Sequence, residues 1–282
     1  MRAERITDAV AYHGEGPVWH APWGGLKFVD MLAGDVLSLQ SSGHVTRWHS
    51  SSPVVAAVRP RREGGMVLGV ERGFALSNAD GDVELLAPLW QPGKLRMNEG
   101  ACDPEGNFWC GSMAYDRAVG AASLWRMTPD NEFDEMLTDV TISNGLCWNA
   151  DGSKAFYNDT DTYAISVFDY RDGALMDRRV FADLRPEGLR PDGLTLDAEG
   201  GVWIGLSNGG AVRRYDADGV LSEVVDVPVT KVTACTFGGE NLDQLYITTS
   251  RENLADEEEP AAGSLFLAHP EVKGLPTREF SG

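Results

Sequence analysis

Residues 143–148 read Ser-Asn-Gly-Leu-Cys-Trp, and this stretch decides the fold because its pattern recurs along the chain. The recurring form is a polar residue, then glycine, then a few residues that lead towards an aromatic-containing strand. Clear copies have their polar residue at Glu15, Glu99, Asn144 and Asp192. Degenerate copies, in which the glycine is missing, lie near Ala56 and Thr233.

The copies are spaced about 41 to 48 residues apart, which is the length of a four-stranded blade of a β-propeller. Six copies fill the 282 residues, and no linker or shift of composition divides them. The sequence therefore predicts a single all-β domain over residues 1–282, a six-bladed β-propeller with four-stranded blades. We expect a strand near residues 4–10 to pair into the last blade and close the ring, which removes open sheet edges.

Local patterns agree with an all-β chain. Short β-rich runs are separated by Asp-Gly pairs, which are strong hairpin signals; these pairs begin at Asp80, Asp151, Asp172 and Asp218. No stretch keeps a helical period for three turns. Four of the eight tryptophans occupy similar repeat positions and are expected in the blade cores: Trp19, Trp109, Trp148 and Trp203.

Composition narrows the possible partners and location. The net charge of −19 and the isoelectric point near 4.6 argue against binding to nucleic acid or to anionic lipid. No apolar run approaches 18 residues, so no membrane span is expected. The four cysteines form no C-x-x-C pair and the N-terminus lacks a signal-peptide core, so we expect free thiols in a cytoplasmic protein. We expect a monomer or a weak oligomer.

The polar residue of the repeat carries the main functional signal. The inner strands of a propeller run in one direction along the axis, so equivalent positions meet at one rim of the central channel. Four of the six blades place an oxygen-bearing side chain there, which is the donor set of a hard divalent cation. A central metal site is therefore expected. The alternative is that each side chain only satisfies backbone groups of a turn beside glycine.

Other candidates lie close to this rim. Arg96 and Asn98 alternate on an extended segment, so both can face the same way; Arg96 could balance acidic charge or hold a ligand oxygen. The loop that contains Tyr115 and Asp116 could overhang the cavity, or it could be an ordinary loop. His13 fits packing or surface exposure better than ligand binding.

The ordered phrases resemble the gluconolactonase, regucalcin and luciferin-regenerating enzyme family over nearly the whole chain. The phrases that carry the resemblance are Gly14–Trp19, Arg96–Gly100, Ser143–Trp148, Pro191–Leu194 and Phe237–Thr248. The resemblance implies a six-bladed propeller with one axial divalent ion held by Glu15, Asn144 and Asp192. It implies substrate contacts from Arg96 and Asn98. Asp116 matches a family glutamate only in kind, and Glu99 stands where the family commonly has aspartate; both are expected beside the substrate.

The function implied by this resemblance is metal-dependent hydrolysis of a sugar (aldono-) lactone to the sugar acid. The ion, calcium or zinc first and magnesium, manganese or iron otherwise, would act as a Lewis acid, with Asp192 as general base. Three alternatives stay open: a non-catalytic calcium- or sugar-binding propeller, a metal-dependent hydrolase of other esters, and a scaffold for protein partners. A scaffold gives no reason for carboxylates that converge on the axis.

Overall fold

The computed structural model describes residues 1–255 and 257–282, which form six antiparallel sheets of four strands each. Consecutive sheets are consecutive blades of a propeller, and each blade begins with its innermost strand. Blades one to three consist of β2 (Gly14–His20), β3 (Gly25–Asp30), β4 (Asp35–Leu39) and β5 (Val45–His49); β6 (Val55–Pro60), β7 (Met66–Val70), β8 (Gly73–Ser77) and β9 (Val83–Leu85); and β10 (Leu95–Cys102), β11 (Phe108–Ala114), β12 (Ala122–Met127) and β13 (Phe133–Val140).

The second half of the ring repeats this order and closes on the N-terminus. Blades four to six consist of β14 (Ser143–Trp148), β15 (Lys154–Asp159), β16 (Ala164–Arg171) and β17 (Ala174–Asp183); β18 (Pro191–Leu196), β19 (Val202–Leu206), β20 (Ala211–Tyr215) and β21 (Leu221–Asp226); and β22 (Val232–Gly238), β23 (Gln244–Thr249), β24 (Phe266–Ala268) and β1 (Glu4–Arg5). The N-terminal strand β1 thus completes the last blade, and the predicted ring closure and six-bladed, four-stranded architecture are confirmed.

The only helical elements in the described ranges are four single 3₁₀ turns: Ala21–Trp23, Met31–Ala33, Thr160–Thr162 and Arg185–Glu187. The first strands of neighbouring blades contact one another in a closed ring, so these six strands line the central channel. Within the same part of the chain, no helix is long and apolar enough to cross a membrane. All four cysteines are free thiols, as expected.

Each inner strand carries a break in its pairing register at the same place. The register between the first and second strands shifts between Glu15 and Val18 in blade one, and between Ser143 and Leu146 in blade four. Equivalent shifts occur in the other four blades. A bulge of this kind bends the strand and redirects a side chain. The polar-Gly pair therefore marks this bulge in four of the inner strands, and its degenerate copies at Ala56 and Thr233 mark it in the other two.

Glycine at this position also permits close packing between blades. A Cβ atom on Gly145 would lie 2.7 Å from the backbone oxygen of Asp192 in the next blade, and one on Gly193 would lie 2.4 Å from Cβ of Ala234 in the blade after that. Neither distance is tolerable for carbon. At Gly145 and Gly193 glycine is therefore required for the approach of one inner strand to the next.

The blade cores are apolar, with tryptophan at equivalent positions. Trp109 and Trp203 are fully buried, as predicted, and the indole N–H of each donates to a buried aspartate, Asp103 at 2.7 Å and Asp197 at 2.8 Å. These bonds satisfy the one polar atom of each ring, which would otherwise be costly to bury. Trp109 and Trp203, on the second strands of their blades, thus serve the blade cores, whereas Trp148 is buried on the inner strand β14 and Trp19 is only partly buried on the inner strand β2.

Candidate functional site

A polar cavity of about 220 Å³ lies at the end of the channel where the inner strands begin. Its polar lining includes His13, Glu15, Arg96, Asn98, Arg117, Asn144, Thr160, Arg190, Asp192, Lys231, Ser250 and Glu252. A second cavity, of about 380 Å³, lies at the opposite end of the inner strands beside the C-terminal segment. It is larger, but none of its described lining residues is a carboxylate. The predicted axial residues therefore belong to the smaller cavity.

Asn144, at the start of β14, presents an unpaired oxygen to this cavity. Its Nδ2 donates to Thr160 Oγ1 at 3.1 Å, and the Thr160 hydroxyl donates to the backbone oxygen of Pro191 at 2.9 Å. These bonds fix which end of the amide faces Thr160. Its Oδ1 is buried and has no hydrogen-bond partner among the described residues. Such an oxygen is expensive to bury unless it binds a ligand.

Asp192, at the start of β18, presents a second such oxygen. The backbone carbonyl of Asp192 accepts a hydrogen bond from Asn158 Nδ2 at 2.7 Å, which ties the residue to blade four. Its Oδ1 is buried and lacks a partner within the described part of the chain. Burial raises the pKa of the Asp192 carboxyl to about 7, and the Glu99 carboxylate adds to the shift.

Glu15, at the start of β2, completes the axial set. One carboxylate oxygen accepts a weak bond from the Gly16 backbone N–H at 3.3 Å, and the other lies 3.8 Å from His13 Nε2. Burial raises the pKa of Glu15 well above its usual range, and the carboxylates of Asp192 and Glu99 raise it further. His13 does not neutralise Glu15, because burial lowers the pKa of the His13 ring to about 3.

The axial set fits a hard divalent cation by the chemistry of its donors. It consists of two carboxylates and one amide oxygen, and two of these side chains carry buried oxygens without partners. The carboxyl pKa values are raised because negative charge is buried there without compensation, which a cation would supply. Among the described residues, no group of three or more His, Cys, Asp or Glu side chains forms a metal cluster. The axial set has two carboxylates, and its third donor is the Asn144 amide.

Arg96 and Asn98, both on β10, line the cavity together. Arg96 Nη1 donates to Asn98 Oδ1 at 2.7 Å, and Asn98 Nδ2 donates to the backbone oxygen of Ser143 at 2.8 Å. Both ends of the Asn98 amide are therefore used within the protein. The Arg96 guanidinium, which is 6 % exposed, keeps further N–H groups for a ligand. Asn98 therefore orients the Arg96 guanidinium, in addition to any contact that it makes with a substrate.

The structure does not bring Glu99 or Asp116 into the cavity lining. Glu99 is buried behind it, where its carboxylate accepts from the Gly100 backbone N–H at 2.8 Å and pairs with Arg59 at 3.3 Å. Asp116 is exposed and accepts a hydrogen bond from the Ala118 backbone N–H at 3.1 Å. The neighbouring Arg117 lines the cavity instead.

Several lining residues were missed by the sequence reading. His13, Ile142, Arg190 and Lys231 all line the cavity, and each stands two residues before the repeat position of its blade. This shared offset is a signal that the sequence contains, because two residues along a strand return a side chain to the same face. Glu252 and Arg117 come from loops of different lengths and carry no such signal. Thr160, in the 3₁₀ turn after β15, orients Asn144.

The closed ring of six four-stranded blades places this protein in the class of six-bladed β-propellers, with an oxygen-lined cavity at one end of its channel. Within this class, the profile of the SMP-30/Gluconolactonase/LRE-like region matches residues 13–251. The chain belongs to this family, as the resemblance of its repeated phrases implied.

Individual relatives agree over nearly the full length. Regucalcin of Bos taurus is 35 % identical over 297 residues, which cover 100 % of this chain and 99 % of that protein. The structure of a calcium-binding protein, regucalcin, from Agrobacterium tumefaciens has a TM-score of 0.93 and 26 % identity, with 99 % and 97 % of the two chains covered. A gluconolactonase from Xanthomonas campestris has a TM-score of 0.76 and 26 % identity, with 94 % and 89 % covered.

Proposed function

We propose that this protein is a metal-dependent hydrolase that opens a sugar lactone to the corresponding sugar acid at the axial cavity. The observation that supports this most directly is the pair of buried, unpartnered oxygens, Asn144 Oδ1 and Asp192 Oδ1, in a cavity that also contains an available guanidinium on Arg96. A gluconolactonase is among the similar structures. Glu15, Asn144 and Asp192 would hold the ion, which would supply Lewis-acid polarisation of the lactone carbonyl.

The residues of the chain have defined tasks in this reaction. Arg96 donates to hydroxyl or ring oxygens of the sugar and orients it, with Asn98 holding the guanidinium. Water attacks the carbonyl carbon while Asp192 takes one of its protons. The bond from the carbonyl carbon to the ring oxygen then breaks. Asp192 passes this proton to the ring oxygen, which becomes a hydroxyl, and the other proton of the water is lost to solvent as the acid product ionises to the carboxylate of the sugar acid.

Lactone hydrolysis by metal-stripped protein, with each divalent ion added back, tests this proposal. The assay follows acid release from a panel of pentono- and hexono-lactones, with calcium, zinc, magnesium, manganese and iron in separate arms. We expect at least one pair to give turnover well above the spontaneous rate. Asp192→Asn should lose at least 100-fold in kcat while its melting temperature stays within a few degrees of wild type. Near-normal turnover by this variant with metal bound would remove Asp192 from the role of base.

Non-catalytic calcium binding is the second candidate function, because the similar structure from Agrobacterium tumefaciens is described as a calcium-binding protein. The same three oxygens serve both functions, so affinity alone does not separate them. Tight calcium binding without turnover on any lactone or simple ester would favour this candidate. Turnover restored by an ion would reject it as the sole function.

A further inference from the structure

The lining of the axial cavity has a higher ratio of basic to acidic side chains than the chain as a whole. The protein has 24 lysines and arginines against 43 acidic residues. The cavity lining reverses this balance, with four basic side chains and three carboxylates. The basic residues are Arg96, Arg117, Arg190 and Lys231, and the acidic residues are Glu15, Asp192 and Glu252.

The charges are arranged by depth and by pairing. Glu15 and Asp192 are buried at the axis, whereas Arg117 is exposed and Lys231 is partly exposed. Arg190 already has a partner, since its Nη2 lies 2.5 Å from Asp161 Oδ1. The other three basic residues have no carboxylate oxygen within 4.0 Å among the described residues. Arg96, Arg117 and Lys231 are called the basic arc below.

The basic arc lines one shared cavity. Arg96 lies on β10 and Arg117 in the loop after β11, both in blade three, and Lys231 directly precedes β22 in blade six. Three positive charges from two blades therefore border the same volume. Among the described lining residues, Glu252 is the one carboxylate outside the axial set, and one acid cannot neutralise three cations. An ion held at the axis would cancel the charge of Glu15 and Asp192 and leave the arc with a net positive charge.

We propose that the basic arc recognises a second anionic group on the substrate, so that the lactone opened here carries a carboxylate or phosphate remote from its ester. This inference rests on the proposed lactonase function for the reaction, but not for the binding of the anion. Guanidinium and ammonium groups bind both anions through charge-assisted hydrogen bonds. The lactone ring would lie over the axial oxygens, and the anionic end of the sugar would reach the arc.

Binding of open-chain six-carbon compounds tests the arc without any turnover. Glucitol, gluconate, glucarate and 6-phosphogluconate differ in charge and end group on similar carbon chains, and calorimetry gives a Kd for each. We expect glucarate or 6-phosphogluconate to bind at least 10-fold more tightly than gluconate, in metal-stripped as well as calcium-loaded protein. The preferred one of the two identifies the anion as carboxylate or phosphate. The advantage should shrink in 0.5 M salt because exposed charges are screened.

Two variants assign the effect to the arc. Arg117→Gln and Lys231→Gln should each weaken binding of the preferred dianion about fivefold and change glucitol binding less than twofold, with partial exposure limiting the effect. Arg62→Gln is the matched control. Arg62 is exposed and borders a different groove, beside Glu279. The Arg62→Gln variant removes one positive charge, as each arc variant does, and its Kd values should equal those of wild type.

The outcomes separate this inference from the function beneath it. Equal binding of gluconate and both dianions by wild type, or equal losses for glucitol and dianions in the arc variants, would overturn the arc as an anion site. Charge-dependent binding that is lost in the arc variants supports the arc even if no lactone is opened, and only the lactonase proposal then fails. Turnover on neutral lactones with no preference for charged ones would uphold the lactonase and reject the arc.

Discussion

Substitution of Gly145 by alanine tests whether the contact between blades four and five sets the position of the axial oxygens. The new Cβ would lie 2.7 Å from the Asp192 backbone oxygen, 2.7 Å from the Leu194 backbone nitrogen and 2.6 Å from Leu194 Cγ. Ordinary contact requires about 3.4 Å or more, so one strand must move by roughly 0.7 Å. The backbone of Gly145 is not in the left-handed region, so the effect is steric.

The displacement falls between two of the proposed metal donors. Asn144 directly precedes the substituted residue, and the backbone oxygen of Asp192 is one of the atoms that the new Cβ would approach too closely. Overpacking of this size costs about 1–3 kcal/mol of the free energy of unfolding. Because ligand positions must hold within about 0.5 Å, we expect Gly145→Ala to weaken divalent-ion binding by at least 10-fold. Lactone turnover should fall by a similar factor at limiting ion concentration.

Denaturant unfolding of the metal-stripped protein and ion titration by calorimetry measure the two effects separately. Gly43→Ala is the control, since Gly43 has φ of +83° with nothing within 4 Å of an added Cβ. It should cost about 1 kcal/mol of stability through backbone strain alone and leave ion affinity unchanged. If Gly145→Ala bound the ion as tightly as wild type, the packing of these two blades would not position the donors, and the reasoning would fail.

Two further perturbations follow from the buried charges. Arg59→Met should lower the free energy of unfolding in urea by about 3 kcal/mol, because it leaves the buried Glu99 carboxylate without its partner. The double variant Arg59→Met with Glu99→Gln should recover most of this loss. If it recovers none, Arg59 stabilises the fold through packing. The pKa of His13 is lowered from 6.5 to about 3, so the unfolded state binds the extra proton between these values and stability is lost as pH falls from 6.5 towards 3. Between pH 6.5 and 3, the free energy of unfolding of metal-stripped His13→Gln should therefore fall by on the order of 2 kcal/mol less than that of wild type. Urea unfolding at each pH measures this, and equal losses in the two proteins would contradict the explanation.

The fold was predictable because its signal is repeated. Four polar-Gly pairs and two degenerate copies, spaced 41 to 48 residues apart, mark six bulges, one in each inner strand. Each of the four Asp-Gly pairs predicted as hairpin turns lies between two consecutive strands of a blade, and Trp109 and Trp203 are buried in the blade cores. Residues at equivalent positions of the repeat therefore occupy equivalent positions in the ring. This places Glu15, Asn144 and Asp192 in one cavity.

The remainder of the site depended on information that the repeat lacks. Glu99 holds the repeat position of blade three, yet it turns away from the cavity because Arg59 of blade two offers it a charge partner. Arg117 reaches the cavity from a connection after β11, and its approach depends on the course of that loop. Loop course and cross-blade pairing are tertiary properties, so the pattern of one strand could not reveal them.

The axial oxygens are held by bonds between blades rather than within them. Asn98 of blade three donates to Ser143 of blade four, and Thr160 and Asn158 of blade four donate to the backbones of Pro191 and Asp192 in blade five. The ring therefore acts as a frame in which each blade fixes the donor strand of the next. Because Asn144 Oδ1 and Asp192 Oδ1 have no hydrogen-bond partner among the described residues, the contacts that close the ring also hold two buried oxygens ready for a cation. Ion affinity and blade-to-blade packing should consequently change together, whereas substitutions confined to the outer strands should change stability alone.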